Sequence, residues 1–162
     1  MAVSHLRDLY LEELQEMRSA EDLMTNAMPK LARQATHTGL SKMLEDDVAD
    51  TRAHRERLEA ILTRHGANPR EHRDQSMAAL VAEAEKWAGQ IDDPECRDTA
   101  LIASAQRLQH YEIAAYGSLA TWAKQLGFQE DLDQLLAILD EEKRADETLT
   151  DLAKSVVNPS AA

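Results

Sequence analysis

Apolar residues recur every three or four positions through four long stretches of the chain. The first stripe reads Leu14-Met17-Glu21-Met24-Met28-Leu31 and the second Leu44-Asp47-Thr51-His54-Leu58-Ile61. The third is Leu101-Ala105-Leu108-Glu112-Ala115-Leu119-Trp122-Leu126 and the fourth Leu132-Leu135-Leu139-Glu142-Asp146-Leu149-Ala153. This is the spacing of one face of a helix, and no segment alternates apolar and polar residues as a half-buried strand does. Each stripe is interrupted at its middle by acidic residues or a histidine. A lone buried carboxylate costs several kcal/mol unless something compensates it, so four such interruptions point to a shared compensator.

The punctuation predicts where the helices stop. The first runs from about Ser4 to Ala35, kinked rather than ended by Pro29, and Thr36-His37-Thr38-Gly39 breaks it. The second runs from Leu40 to His65 and stops at Gly66. A connection of about 30 residues holds a short amphipathic segment, Met77 to Trp87. Asp93-Pro94 opens the third long helix, which ends at Gly127, and the fourth runs from about Glu130 to Val156. Two short loops and one long crossover define an all-α, ferritin-like four-helix bundle. The expectation is one domain over residues 1–157 and a frayed tail over 158–162.

Depth along the bundle sorts the polar residues. Reflection about the first short loop carries Glu21 onto His54; reflection about the second carries Glu112 to the level of Asp146. Asp50 and Glu142 lie one turn away, about 6 Å along the axis. Glu21, Asp50, His54, Glu112, Glu142 and Asp146 are therefore the expected metal ligands. Asp47, roughly 10 Å from the level of His54, is assigned an outer or independent role. Carboxylates with an imidazole suit two iron ions, with manganese or zinc as substitutes. The halves of the chain echo one another: Glu21 and Glu112 are 91 positions apart, and His54 and Asp146 are 92 apart. Tyr116 lies near enough in angle to Glu112 to hydrogen-bond a ligand. His110 lies opposite Glu112, and His37, His65 and His72 are expected to face solvent. Met17, Met24 and Met28 read as core filler.

Composition supports the all-helical reading and removes other classes. Five glycines, four prolines and 4% aromatics leave little material for strands. A net charge of −12 disfavours nucleic acid and anionic lipid as partners. There is no apolar run for a membrane span, no signal-peptide pattern in residues 1–20, and a single cysteine, Cys96. These fit a soluble protein of the reducing cytoplasm. No phosphate loop, nucleophile elbow or Cys-x-x-Cys motif occurs.

Four segments carry a resemblance: Leu9-Tyr10-Leu11-Glu12-Glu13-Leu14, Ser19-Ala20-Glu21, His110-Tyr111-Glu112-Ile113-Ala114-Ala115-Tyr116-Gly117 and Leu139-Asp140-Glu141-Glu142-Lys143-Arg144-Ala145-Asp146. Over about residues 5–155 the chain resembles the YciF-type stress-associated bacterial proteins of the ferritin-like superfamily. The resemblance implies a homodimeric bundle with a short extra helix and a di-iron centre; oxygen or peroxide would be its small-molecule substrate. Ferritin-like proteins carry Glu on the first and third helices and Glu-x-x-His on the second and fourth. Glu21 and Glu112 match, but Thr51 stands three before His54 where that pattern has Glu, and Asp146 replaces the second histidine. The competing expectation is a non-catalytic structural or interaction bundle with a vestigial or empty site.

Overall fold

The computed structural model describes residues 3–70 and 72–162. Its elements are α1 (Leu6–Gln34), α2 (Thr38–Arg64), α3 (Gln75–Gln90), α4 (Pro94–Leu126), α5 (Gln129–Leu152) and α6 (Asn158–Ala161), with a π-helical segment, Ala153–Val157, between the last two. No strand occurs among the described residues. The long helices form two antiparallel pairs, α1 with α2 and α4 with α5, joined by the crossover that holds α3. The class is all-α, with the ferritin-like arrangement. α3 closes one flank by packing on both α1 and α4.

The helix ends follow local chemistry. α1 continues through Pro29 to Gln34. His37, expected to face solvent, caps α2 instead, its Nδ1 accepting from the Leu40 N–H at 3.3 Å. Asp93 caps α4 through the Cys96 N–H at 2.8 Å, with Pro94 in the first turn where its missing N–H costs nothing. Gly127 ends α4 at φ +75°, a left-handed conformation that strains any residue with a Cβ. The tail expected to fray is helical. Ala153–Val157 widens into a π turn and α6 begins afresh, with Pro159 in its first turn. Val157 and Ala153 are buried, and this region packs on α4, so tertiary contact rather than local propensity holds it.

Two buried aspartates fasten the connections. Asp98 accepts the backbone N–H groups of Thr36 and His37 at 2.8 and 2.7 Å, securing the α1–α2 turn to α4. Asp74 caps α3 through the Met77 N–H and also accepts from the Tyr111 hydroxyl. The Ser19 hydroxyl accepts from the Asp74 N–H and donates to the His72 carbonyl, pinning the crossover to α1. At the far end, buried Asp131 accepts from Tyr10, Arg64 and His65 at 2.6–2.8 Å. His65 is therefore mostly covered rather than solvent-facing, with its ring 4.4 Å from that of Phe128.

The core is a continuous layer of Leu, Met, Ala and Ile from every long helix, including Met17, Met24 and Met28. Within it lie Glu21, His54, Glu112 and Glu142, each no more than 3% exposed.

Candidate metal centre

Each of the four long helices delivers one of these side chains to the bundle centre. Glu21 of α1, His54 of α2 and Glu142 of α5 each offer a ligand atom, all within 4.8 Å of one another. His54 Nδ1 stands 3.1 Å from Glu142 Oε1 and 3.5 Å from Glu21 Oε1. Yet Nδ1 is buried without a hydrogen-bond partner. Buried donor atoms this close together with no hydrogen bond joining them are the geometry of cation ligands.

The rest of the imidazole explains its orientation. Nε2 lies 2.8 Å from Glu141 Oε2, and Glu141 is held by Arg57 at 3.1 Å through both oxygens. A carboxylate on Nε2 fixes that nitrogen as the donor and leaves Nδ1 to face the centre, the arrangement typical of metal-bound histidines. The Tyr116 hydroxyl donates to Glu21 Oε1, so its Oε2 remains without a partner. Both oxygens of Glu112 and Oε2 of Glu142 are likewise buried and unpartnered. Such atoms are rare in folded proteins, and each costs about 1–3 kcal/mol if left alone. Three carboxylates and one imidazole, with orphaned oxygens turned inward, fit iron, manganese or zinc by donor type.

The electrostatics describe the same demand. Burial raises the Glu112 carboxyl well above the carboxylate range, and the charges of Glu142 and Glu21 raise it further. Glu21 is also raised, by burial against the opposing pull of His54. Burial lowers the His54 imidazole, but the Glu142 and Glu21 carboxylates outweigh it and hold it up at about 11. Without a metal the centre must carry protons; a divalent ion would displace them. Tyr116, wholly buried beside Glu21, keeps its proton because burial and the neighbouring carboxylates raise it.

Two of the six expected ligands lie elsewhere, and one residue set aside lies inside. Asp50 is exposed, and Asp146 accepts from Gln106 at 3.1 Å and sits 3.4 Å from the exposed His110. Four residues advance a helix by 400°, a 40° offset. With His54 and Glu142 centred, that offset turns Asp50 to solvent and Asp146 to the outer α4–α5 seam. Asp47 is seven residues before His54, which returns it to within about 20° of the same face. It is accordingly buried, with one unpartnered oxygen. Its carboxyl is pushed up to about 8, by burial first and then by Glu142, Glu21 and Asp50. Thr51, in the position of the helix 2 Glu of ferritin-like proteins, is engaged with Thr25 and the Val48 carbonyl at 3.0 Å each. Three residues beyond Glu142, where a histidine would complete the pattern, stands Ala145. Glu141 escaped sequence reasoning because it falls outside the apolar stripe, and nothing in its spacing marks it as the partner of His54.

A bundle of two antiparallel helix pairs with a carboxylate–histidine centre defines the ferritin-like class of helical proteins. Within that class the chain belongs to the family described as "Domain of unknown function (DUF892)", which matches residues 5–162. It is similar to Protein YciF of Escherichia coli K12, at 36% identity over 162 residues, covering 99% of this chain and 98% of that protein. The crystal structure of the E. coli stress protein YciF superposes with a TM-score of 0.92 at 36% identity, over 96% of this chain and 99% of that one. YcfI of Rhodopseudomonas palustris gives 0.88 at 36% identity, over 91% and 94%. A protein of Xanthomonas campestris at 19% identity gives 0.76 over 94% of both chains and shares the fold.

Proposed function

We propose that the chain holds a carboxylate-rich dinuclear iron centre in a stress-associated cytoplasmic homodimer, with manganese or zinc able to replace iron. The carrying observation is the close grouping of Glu21, His54 and Glu142, with His54 Nδ1, Glu21 Oε2, Glu142 Oε2 and both oxygens of Glu112 buried and unpartnered. In this reading Glu21, His54 and Glu142 would hold one ion, and Glu112 with Glu142 would hold a second more weakly, because Asp50 and Asp146 lie elsewhere and no second histidine joins the group among the described residues. Iron in such a site supplies redox chemistry toward oxygen or peroxide. The chain's own residues hold and orient: Tyr116 fixes Glu21, Glu141 fixes His54, and the surrounding Leu and Met side chains exclude water. The stress role rests on the name of the E. coli relative.

Anaerobic titration of the metal-free protein with Fe²⁺ and Mn²⁺, followed by metal analysis and absorbance spectra after peroxide addition, tests the reading. One tight and one weaker ion per chain, with the tight site lost in Glu21→Ala and Glu142→Ala, is the expected result. Metal content equal to that of the buffer in all three proteins overturns it. Sedimentation at the monomer mass refutes the dimer.

The competing reading is a non-catalytic bundle. It draws on the displacement of Asp50 and Asp146 and on the proton held by His54, which offsets carboxylate charge without any ion. One of the solved relatives, YcfI, carries the description of a candidate structural protein. Tight metal binding with no spectral response to oxygen or peroxide favours this reading.

A further inference from the structure

Beside the centre, between α2, α4 and α5, lies a partly open cavity of about 140 Å³. Its wall includes Asp46, Asp47, Asp50, Gln109, Ala145 and Thr148. The volume is enough for several waters, since one needs only about 10–15 Å³ on such a measure. Polarity is graded along it. Asp50 and Thr148 are exposed, and Asp46 is paired with Lys42 at 2.7 Å. Inside, Asp47 and Gln109 are 9% and 2% exposed, and Asp47 Oδ2 and Gln109 Oε1 have no hydrogen-bond partner. Two buried, unpartnered oxygen acceptors on the wall of a cavity with room for water suit a cation rather than an anion. Asp47 lines the cavity, is buried, and shares the inner face of α2 with His54 two turns away, which links the cavity to the centre. Ala145 lines the wall where a histidine would otherwise project, and its small side chain leaves the space open.

We propose that this cavity is the uptake path for divalent cations: Asp50 draws the hydrated ion to the mouth, and Asp47 with Gln109 receives it before transfer to Glu142. The inference rests on the metal-centre reading. It gives Asp50 a role its exposure allows and gives Asp47 one distinct from that of the permanent ligands.

The test follows Mn²⁺ and Fe²⁺ uptake by the full-length metal-free protein in stopped-flow competition with a chromophoric chelator. Three variants are used: Asp50→Asn, Asp47→Asn and Thr148→Trp. The first removes the outer charge, the second the inner carboxyl that receives the ion, and the third obstructs the mouth without changing charge. Asp50→Asn should slow uptake about three- to tenfold, as expected for charge lining a low-dielectric cleft, and Asp47→Asn should slow it comparably by removing the carboxyl that exchanges its proton for the ion. Final occupancy should be unchanged in Asp50→Asn and Thr148→Trp. The Asp50→Asn effect should shrink as salt shortens the screening length from about 10 Å at 0.1 M to about 3 Å at 1 M. Thr148→Trp should be slowed with no change in salt dependence. Wild-type uptake rates in all three variants overturn the path while leaving the centre standing. Failure of the unmodified protein to take up either ion overturns both.

Discussion

Replacing Glu112 with methionine separates the demands of stability from those of metal binding. Glu112 is fully buried and neither carboxylate oxygen has a partner. Methionine is unbranched and of similar length, so the substitution removes polar atoms without opening a large cavity. In the metal-free protein it relieves a desolvation cost of about 1–3 kcal/mol. At roughly 2–4 °C per kcal/mol for a chain of this size, the melting temperature should rise by about 2–12 °C. With metal the sign reverses. An ion present at a hundred times its dissociation constant stabilises the native state by about 2.7 kcal/mol, and the variant forfeits the part that depends on Glu112. pH sharpens the contrast. The Glu112 carboxyl is raised by burial and by Glu142 and Glu21, so its native form is favoured below the unfolded value of 4.5 and penalised as pH climbs through the raised one. The metal-free gap between variant and wild type should therefore widen from pH 5 to pH 8. Thermal melts in chelator and in Mn²⁺, across that pH range, provide the assay. A variant that is less stable in chelator, yet keeps the full metal-induced shift, refutes the reasoning.

Asp47→Asn should remove a proton uptake on folding. The native carboxyl at about 8 against an unfolded value of 3.8 means that stability falls as pH rises between them. Urea midpoints in chelator should show a slope flattened by up to about 1.4 kcal/mol per pH unit relative to wild type; parallel curves refute this. Glu141→Gln should weaken metal affinity about tenfold or more by loosening His54, with a helical spectrum like that of wild type; unchanged affinity in a chelator competition refutes the anchoring role. Asp131→Ala should cost about 3–5 kcal/mol, because it strands Arg64, His65 and Tyr10 around a buried gap. The Asp131 carboxyl is lowered, since hydrogen bonds from His65, Arg64 and Tyr10 outweigh its burial, so wild type should lose that contribution as pH falls through the acidic range. A loss below 1 kcal/mol in guanidine unfolding, metal bound or not, counts against this account.

The stripes made the bundle legible because a 3.6-residue period, two short loops and one long crossover leave little freedom of topology. They also marked Glu21, His54, Glu112 and Glu142, whose apolar neighbours at three and four positions could only face the core. Ligand identity beyond these was harder to read. Spacings of four and seven both return roughly to one face, and the choice between Asp50 and Asp47 turns on the few tens of degrees that helix packing decides. Depth favoured Asp50, while the smaller angular drift carries Asp47 inward. Partners from outside the stripe, such as Glu141 for His54 and Asp131 for Tyr10, are set by tertiary proximity across 87 and 121 positions, which no local pattern records.

Glu141 and Glu142 are consecutive on α5, and they address opposite nitrogens of one imidazole, at 2.8 and 3.1 Å. A single helix therefore grips His54 from both sides like the jaws of a wrench. The jaws cannot be adjusted separately: turning α5 about its axis to advance Glu142 toward the centre withdraws Glu141 from Nε2. The rotation of one helix thus sets how firmly His54 is anchored at Nε2 against how closely Glu142 faces its Nδ1.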